Sequence, residues 1–353
     1  MYDVNKIRAD FPILSRNVNN KPLVYLDNGS SAQKPKVVID AVSKAYSEEY
    51  SNVHRGLHTL SNLATDNYES VRGKIQNFLG ADHPEEIIFN SGATEGINTV
   101  SYSWAVPNLK AGDEIILSIM EHHANIIPWH FLRERQGVVI KWVETDENGD
   151  LDAQAVIDAI NPKTKLIAIT QMSNVLGTVV DVKEICRVAQ ENNIVTLIDG
   201  SQSSVHLPIN VKDIGCDFFV ITGHKLYGPS SSGALYARKK RHEEMINFMG
   251  GGDMIKIVER DHVTYNISPH RFEAGTPGIV QMIGLGAAID YMQEIGTDHI
   301  AKHETSLRDY ANTKLSNLDF LNIQGNSVNK GAIFSFTLNG AGHPHDISTI
   351  LEQ

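Results

Sequence analysis

Four apolar residues in a row, Phe218-Phe219-Val220-Ile221, give way to Thr222-Gly223-His224-Lys225, and this switch is the sharpest boundary in the chain. An unbroken apolar run of that length predicts a strand buried on both faces, and the glycine predicts a tight turn out of it. The pattern recurs. Strands are predicted near 86–90, 114–119, 137–143, 165–170, 194–199, 217–222 and 233–237, with helical periodicity near 94–105, 124–135, 152–160 and 181–191. Such alternation predicts an α/β fold, a mostly parallel seven-stranded sheet with helices on both faces. A closed eight-stranded barrel is the runner-up, but these helices are too unevenly spaced for it.

Ahead of the sheet, helices are predicted near 4–11, 35–49 and 61–79, with a His- and Arg-rich polar loop at 52–58. After Gly250-Gly251-Gly252 the alternation lapses into a long irregular segment that carries Arg271-Phe272-Glu273-Ala274-Gly275-Thr276-Pro277. Helices near 278–294 and 298–316, a strand at 332–338 and a helix from about His345 follow. The expected organisation is an N-terminal segment, 1–22, packed with a small domain; a large domain, 23–290; and a small α+β domain, 291–353. A strand followed by a helix normally returns to its own sheet, and no later strand is predicted. The small domain is therefore expected to be incomplete, with an unpaired strand edge that favours association.

Lysine at the carboxyl end of a buried strand is unusual, because its charge is costly there unless paired or neutralised. A desolvated amine is what Schiff-base chemistry with an aldehyde requires. Asp199 closes the buried strand at 194–199, so a carboxylate and the Lys225 amine share one sheet edge. Pyridoxal phosphate (PLP) needs that pair, an amine for its aldehyde and an anion for its pyridine nitrogen. Open sheets bind ligands beyond the carboxyl ends of their strands.

Ser91-Gly92-Ala93-Thr94 reads as a turn into a helix start, either an ordinary cap or, with its free N–H groups and the Thr94 hydroxyl, an anion site. His122 and His123 are expected to close the strand at 114–119 and so to point to opposite sides. An imidazole there is either structural or able to stack on a flat ring and exchange protons. Zinc is the weaker alternative, since neither HExxH nor paired-cysteine spacing occurs. Gln202 and Asn174 are either loop residues or donors to a phenolate-like oxygen. Cys186 shares a helical face with Val182, Ile185 and Ala189, which predicts core. Cys216 sits at the far end of its strand, ~20 Å from the Thr222 edge.

The apolar fraction, 41%, is that of an ordinary globular enzyme. Acidic residues outnumber basic ones 42 to 31, which argues against nucleic acid or an anionic membrane as partner. No apolar run approaches the ~20 residues of a membrane span, and the first residues form no signal core. Two separated cysteines make no disulfide framework. A cytoplasmic protein is expected.

These stretches resemble the class V aminotransferase-like PLP enzymes of fold type I, most closely the SufS-type (group II) cysteine desulfurases. The match is carried by Asn52-Val53-His54-Arg55-Gly56-Leu57-His58, Ser91-Gly92-Ala93-Thr94-Glu95, Met120-Glu121-His122-His123-Ala124-Asn125, Asp199-Gly200-Ser201-Gln202, Gly223-His224-Lys225-Leu226-Tyr227-Gly228-Pro229 and Phe272-Glu273-Ala274-Gly275-Thr276-Pro277. The resemblance implies that Lys225 holds PLP covalently and moves protons, Asp199 faces the pyridine nitrogen, His122 stacks on the ring and Gln202 reaches the ring hydroxyl. It assigns phosphate binding to Thr94, Thr222 and His224, with Thr276 arriving from the partner of a homodimer, and puts Asn174 beside cofactor and substrate. It further implies L-cysteine or L-selenocysteine as substrate, alanine as product, and a SufE- or SufU-like sulfur acceptor for iron–sulfur cluster assembly. Selenocysteine lyase, another class V reaction and a non-catalytic PLP-binding subunit or scaffold are the alternatives. The family's persulfide-forming cysteine and substrate-binding arginine fall beyond the last predicted helix, so PLP binding with an impaired sulfur step is expected of these residues. Ser230-Ser231-Ser232 departs from a loop usually richer in glycine.

Overall fold

The computed structural model describes residues 2–340 and 343–352. A short hairpin, β1 (Asn17–Val18) and β2 (Lys21–Pro22), precedes seven strands: β3 (Ile87–Asn90), β4 (Glu114–Ser118), β5 (Val139–Val143), β6 (Thr164–Thr170), β7 (Val195–Asp199), β8 (Phe218–Thr222) and β9 (Gly233–Ala237). These seven form one sheet in the order β3-β9-β8-β7-β6-β4-β5. Only β9 runs against the others. The expected α/β architecture is thus observed, as an open sheet rather than a barrel.

Strand alternation divides the core in two. Ile115 and Leu117 of β4 face the side covered by helices Ala93–Thr99 and Ile127–Gln136, where Ile97, Trp129 and Leu132 are buried. Ile116 faces the side covered by Thr59–Leu79, Val182–Glu191 and Ile279–Ile295, through Ile75, Ile185 and Leu285. Each such fully buried aliphatic side chain contributes about 1.5–3 kcal/mol relative to exposure. Helix ends carry the expected signals. Thr59–Leu79 stops at Gly80 (φ +67°), and Asp181 caps Val182–Glu191 by accepting from the Glu184 N–H. Cys186 lies in this core, as the helical pattern predicted.

Two expectations change. The segment after Gly252 is not irregular throughout, because β10 (Ile255–Val258) pairs with β11 (Val263–Tyr265). The late strand has a partner that was not predicted: β13 (Ser335–Leu338) pairs antiparallel with β12 (Leu321–Gln324) in a sheet of two strands. The Leu-Asn-Ile-Gln alternation of β12 is only four residues long, too short to mark a strand in the sequence. The last helix is Pro344–Leu351, and Gln353 lies outside the described residues. The N-terminal segment meets the late helices, with the Tyr291 hydroxyl donating to Asp10 at 2.9 Å and Tyr2 stacked on His303. Among the described residues no helix is long and apolar enough to cross a membrane.

Candidate active site

Asn90, Ser118, Thr170, Asp199 and Thr222 all end strands on one edge of the sheet. Asp199 is paired with Thr170 on one side and Val220 on the other, so Thr222 stands two residues further out than Asp199. The turn after Thr222 is tied back by Gly223 N–H to Ser232 O (2.7 Å) and Gly228 N–H to Gly223 O (2.9 Å). A Cβ on Gly223 would overlap the Ser232 hydroxyl, so only glycine lets these strands approach here. That turn folds Lys225 inward. Lys225 is 9% exposed, and its Nζ donates to Gln202 Oε1 at 3.0 Å. Burial lowers the amine's pKa, and the nearby Asp199 carboxylate opposes that fall.

Asp199 is itself buried, with Oδ1 accepting from the Ser201 N–H at 2.9 Å. The hydroxyl of Ser201 and the amide nitrogen of Asn90 are buried without hydrogen-bond partners among the described residues. A Cβ on Gly200 would strike the Phe219 ring, so this loop also needs glycine.

His122 and His123 do not continue the strand, which ends at Ser118. His122 instead caps a short turn, its Nδ1 accepting from the Ala124 N–H at 3.1 Å. Outside a strand the two rings need not face opposite ways. With Nδ1 accepting, the His122 proton sits on Nε2. Burial lowers the His122 pKa, with Lys225 and His123 adding to the effect and Asp199 opposing it.

Gly92 (φ +135°) begins helix Ala93–Thr99, and a Cβ there would come within 3.1 Å of Thr222 Oγ1. The helix start and Thr222 are therefore in contact. Thr94 is exposed beside them. Glu95 reaches back to the Ser91 N–H at 2.7 Å, closing part of this helix end with its own carboxylate. The carbonyl of half-buried His224 accepts from Ala32 N–H (3.0 Å), Ser31 Oγ (3.4 Å) and Lys34 Nζ (3.1 Å). Burial pushes the Lys34 amine down to about 8. Burial likewise lowers the His224 pKa, with the Lys225 and Lys34 charges adding to it.

A buried amine of lowered pKa, a buried carboxylate, an unpartnered serine hydroxyl beside it, and two threonines at a glycine-opened helix start fit PLP. Asn174 is half-buried and Thr276 exposed, and among the described residues neither hydrogen-bonds to this cluster. Thr276 lies on a separately anchored segment: the Gly275 N–H donates to Gly252 O, and Glu273 holds Arg72.

The class-V aminotransferase family model matches residues 24–353. The chain belongs to the class-V aminotransferases. It falls among their cysteine desulfurases: it is 46% identical over 350 residues to a "probable cysteine desulfurase" of Xylella fastidiosa, covering 99% of this chain and 84% of that one. It is 44% identical to the cysteine desulfurase of Escherichia coli, covering 100% and 86%. Among solved structures, the apo cysteine desulfurase of Thermococcus onnurineus superposes with a TM-score of 0.93 at 33% identity, covering 100% and 86%. The S-sulfonic acid form of the Escherichia coli cysteine desulfurase CsdA gives 0.91 at 31%, with the same coverage. PLP is the cofactor of this class-V enzyme.

Three residues of this class-V site went unnoticed in the sequence. Glu121 is buried, and Oε1 accepts from Ser118 Oγ (2.6 Å) and Thr170 N–H (3.0 Å) while Oε2 accepts from Asn125 Nδ2 (2.7 Å). It anchors the turn that carries His122, and burial pushes its carboxyl up to about 7. His206 and Glu304 join Gln202 in a second chain of contacts. His206 was legible as the i+4 neighbour of Gln202, whereas Glu304, 98 residues further on, left no local signal.

His54, Glu69 and His270 also bring ligand atoms within 4.8 Å of one another. Arg72, however, donates to both Glu69 oxygens, and His54 bonds Glu69 and Asp253. This is a charge-balanced network that fastens loop 52–58 to loop 250–254.

Proposed function

We propose that this chain provides the PLP site of a desulfurase that takes L-cysteine, releases L-alanine and gives sulfur to a thiolate. The observation that carries the reading is Lys225, a buried amine held by Gln202 at the same sheet edge as Asp199. When bound, PLP supplies an aldehyde and an electron-withdrawing ring. Lys225 then acts as nucleophile and proton carrier, its amine made easier to deprotonate by burial. Asp199 supplies a fixed negative charge for a protonated ring nitrogen. His122 offers a flat ring and an Nε2–H. Thr94, Thr222 and His224 serve the phosphate, Gln202 the ring hydroxyl, and Asn174 lies beside cofactor and substrate.

In the sulfur step a thiolate attacks the substrate sulfur, the carbon–sulfur bond breaks, and the carbon takes up a proton to become the alanine methyl group. Cys186 and Cys216 are both fully buried, and burial pushes Cys186 up to about 12 and Cys216 well above the ordinary thiol. The attacking thiolate is neither of these. It is supplied from outside the 353 residues, by further polypeptide or by a SufE- or SufU-like acceptor feeding iron–sulfur assembly. The same burial favours a second reading, a PLP-binding subunit or scaffold without turnover of its own. In the first reading the protein is a cytoplasmic homodimer in which exposed Thr276 serves the neighbouring site.

The deciding experiment reconstitutes the chain with PLP and records the visible spectrum before and after L-cysteine, with alanine assayed with and without added dithiol. A visible band lost in Lys225→Ala, with alanine formed once a thiol is present, supports desulfuration. A band that changes without alanine favours the non-catalytic subunit. Faster alanine release from L-selenocysteine would make this a lyase for selenium.

A further inference from the structure

Lys225 is the first member of a four-residue chain. Its Nζ donates to Gln202 Oε1 at 3.0 Å; Gln202 Nε2 lies 2.7 Å from His206 Nε2; and His206 Nδ1 lies 2.8 Å from Glu304 Oε2. Gln202 is 3% exposed, whereas Glu304 belongs to helix Thr297–Leu315, outside the sheet. The donor–acceptor sense of each link is forced by the next. A carboxylate only accepts, so His206 carries its proton on Nδ1. The Gln202 oxygen faces an amine, so its NH2 faces His206, and His206 Nε2 must accept. His206 is thus held with its proton on Nδ1 and its Nε2 open as an acceptor.

The direction of Gln202 is therefore set remotely. Nothing in its own backbone distinguishes the two ends of its amide, which are nearly the same shape. We propose that His206 and Glu304 are positioning residues whose tautomeric relay turns the Gln202 carbonyl oxygen toward Lys225, so that helix Thr297–Leu315 governs the reactive amine. The inference deepens the proposed function and rests on Lys225 being the reacting group. The other titratable groups around the amine are Asp199, His122 and His224, and beside Glu304 are Tyr227 and Tyr2.

Losing the relay lets Gln202 turn its NH2 toward Lys225. The ammonium then loses an acceptor while the neutral amine loses nothing, so the Lys225 pKa falls. An acceptor for a charged group is worth about one pH unit or more.

Both readouts use the full chain without cofactor, so they report on the relay even if the desulfurase reading fails. Nitrogen-15 NMR of the His206 ring should show the Nδ1–H tautomer, and an Nε2–H ring in the unaltered protein overturns the proposal without any substitution. Reductive methylation of Lys225 by formaldehyde, read by mass spectrometry across pH, should have its midpoint lowered by about one unit in Glu304→Ala. Glu304→Gln, whose amide oxygen still accepts from Nδ1, should restore both tautomer and midpoint. An unchanged midpoint in a folded Glu304→Ala, or a Glu304→Gln that behaves like the alanine variant, also overturns it. Failure of PLP to react with Lys225 while these signatures hold would sink the proposed function and leave the relay standing.

Discussion

Arg72 and Glu273 form a two-armed ion pair, Nη1 to Oε1 at 2.7 Å and Nη2 to Oε2 at 3.0 Å, with both side chains less than a tenth exposed. Glu273 Oε1 also accepts from the Phe89 N–H, so this carboxylate joins helix Thr59–Leu79, β3 and the segment leading to Thr276. Replacing both partners by apolar groups costs little in such pairs, whereas removing one leaves the other's charge short of partners; Arg72 would keep Glu69, and the Phe89 N–H would lose its acceptor. Glu273→Ala is expected to lower unfolding free energy by about 1.5–3 kcal/mol. The exposed Lys36–Asp40 pair, broken by Asp40→Ala, should cost under ~1 kcal/mol. Urea unfolding of the two variants side by side checks the contrast.

Glu121 makes stability depend on pH. Burial raises its carboxyl from 4.5 to about 7 against the pull of three hydrogen bonds and with the Asp199 charge assisting. Between those values the folded chain holds a proton that the unfolded chain has released. Unfolding then releases a proton, so stability falls as pH rises through this window, by on the order of 3 kcal/mol in all, and the contribution is flat above it. Glu121→Gln should remove that slope. Its NH2 would face the Asn125 NH2, because the Asn125 oxygen is already engaged by Trp129 Nε1 at 3.1 Å. Denaturation midpoints at pH 5 and pH 7 for both proteins test it; an undiminished slope in the variant would assign the effect elsewhere.

The sheet was legible because most of its strands are short apolar runs bounded by turns, and a run such as Phe218–Thr222, with its aromatic and β-branched residues, suits a buried strand. Asp199 and Lys225 stood out for the same reason, the one directly closing an apolar run and the other in the turn that follows one. What failed was shape beyond the strand ends. The place of His122 depends on where β4 stops, and that is fixed by Glu121 gathering Ser118, Asn125 and Thr170 from three segments. Likewise β12 was invisible until β13 lay beside it, since four alternating residues acquire strand character only by pairing. Glu304 could not be connected to Gln202, because their link runs through a fold and not through spacing.

Two glycines should respond oppositely to alanine. Gly73 sits inside helix Thr59–Leu79 with open space where a Cβ would go, so Gly73→Ala should stabilise the protein by about 0.5–1 kcal/mol. At Gly223 the Cβ would meet the Ser232 hydroxyl, with Ser232 O at 3.0 Å and Pro229 O at 3.2 Å. Gly223→Ala must push the turn outward and take Lys225 with it. It should destabilise by about 1–3 kcal/mol and weaken the visible band formed with PLP. Thermal unfolding and cofactor titration read the pair; a tight, normal band in Gly223→Ala would show that the turn does not position the lysine.

The two thiols offer a direct check on where the sulfur acceptor is not. Only the thiolate attacks an alkylating reagent, and at pH 8 a thiol of pKa about 12 is ionised about a thousandfold less than a free one. Cys186 and Cys216 are also closed off from solvent, within one core. Iodoacetamide should therefore label neither in the folded protein within a time that labels both in guanidinium, and intact mass counts the adducts. If alanine is formed when a dithiol is added, the Cys186→Ala, Cys216→Ala double variant should form it at an unchanged rate per folded chain. The substitutions empty two small volumes in the core and should lower stability by about 1 kcal/mol each without reaching the Thr222 edge. A native adduct on either cysteine, together with loss of alanine formation in the matching single variant, would place the acceptor inside these residues and overturn the assignment of the thiolate to an outside source.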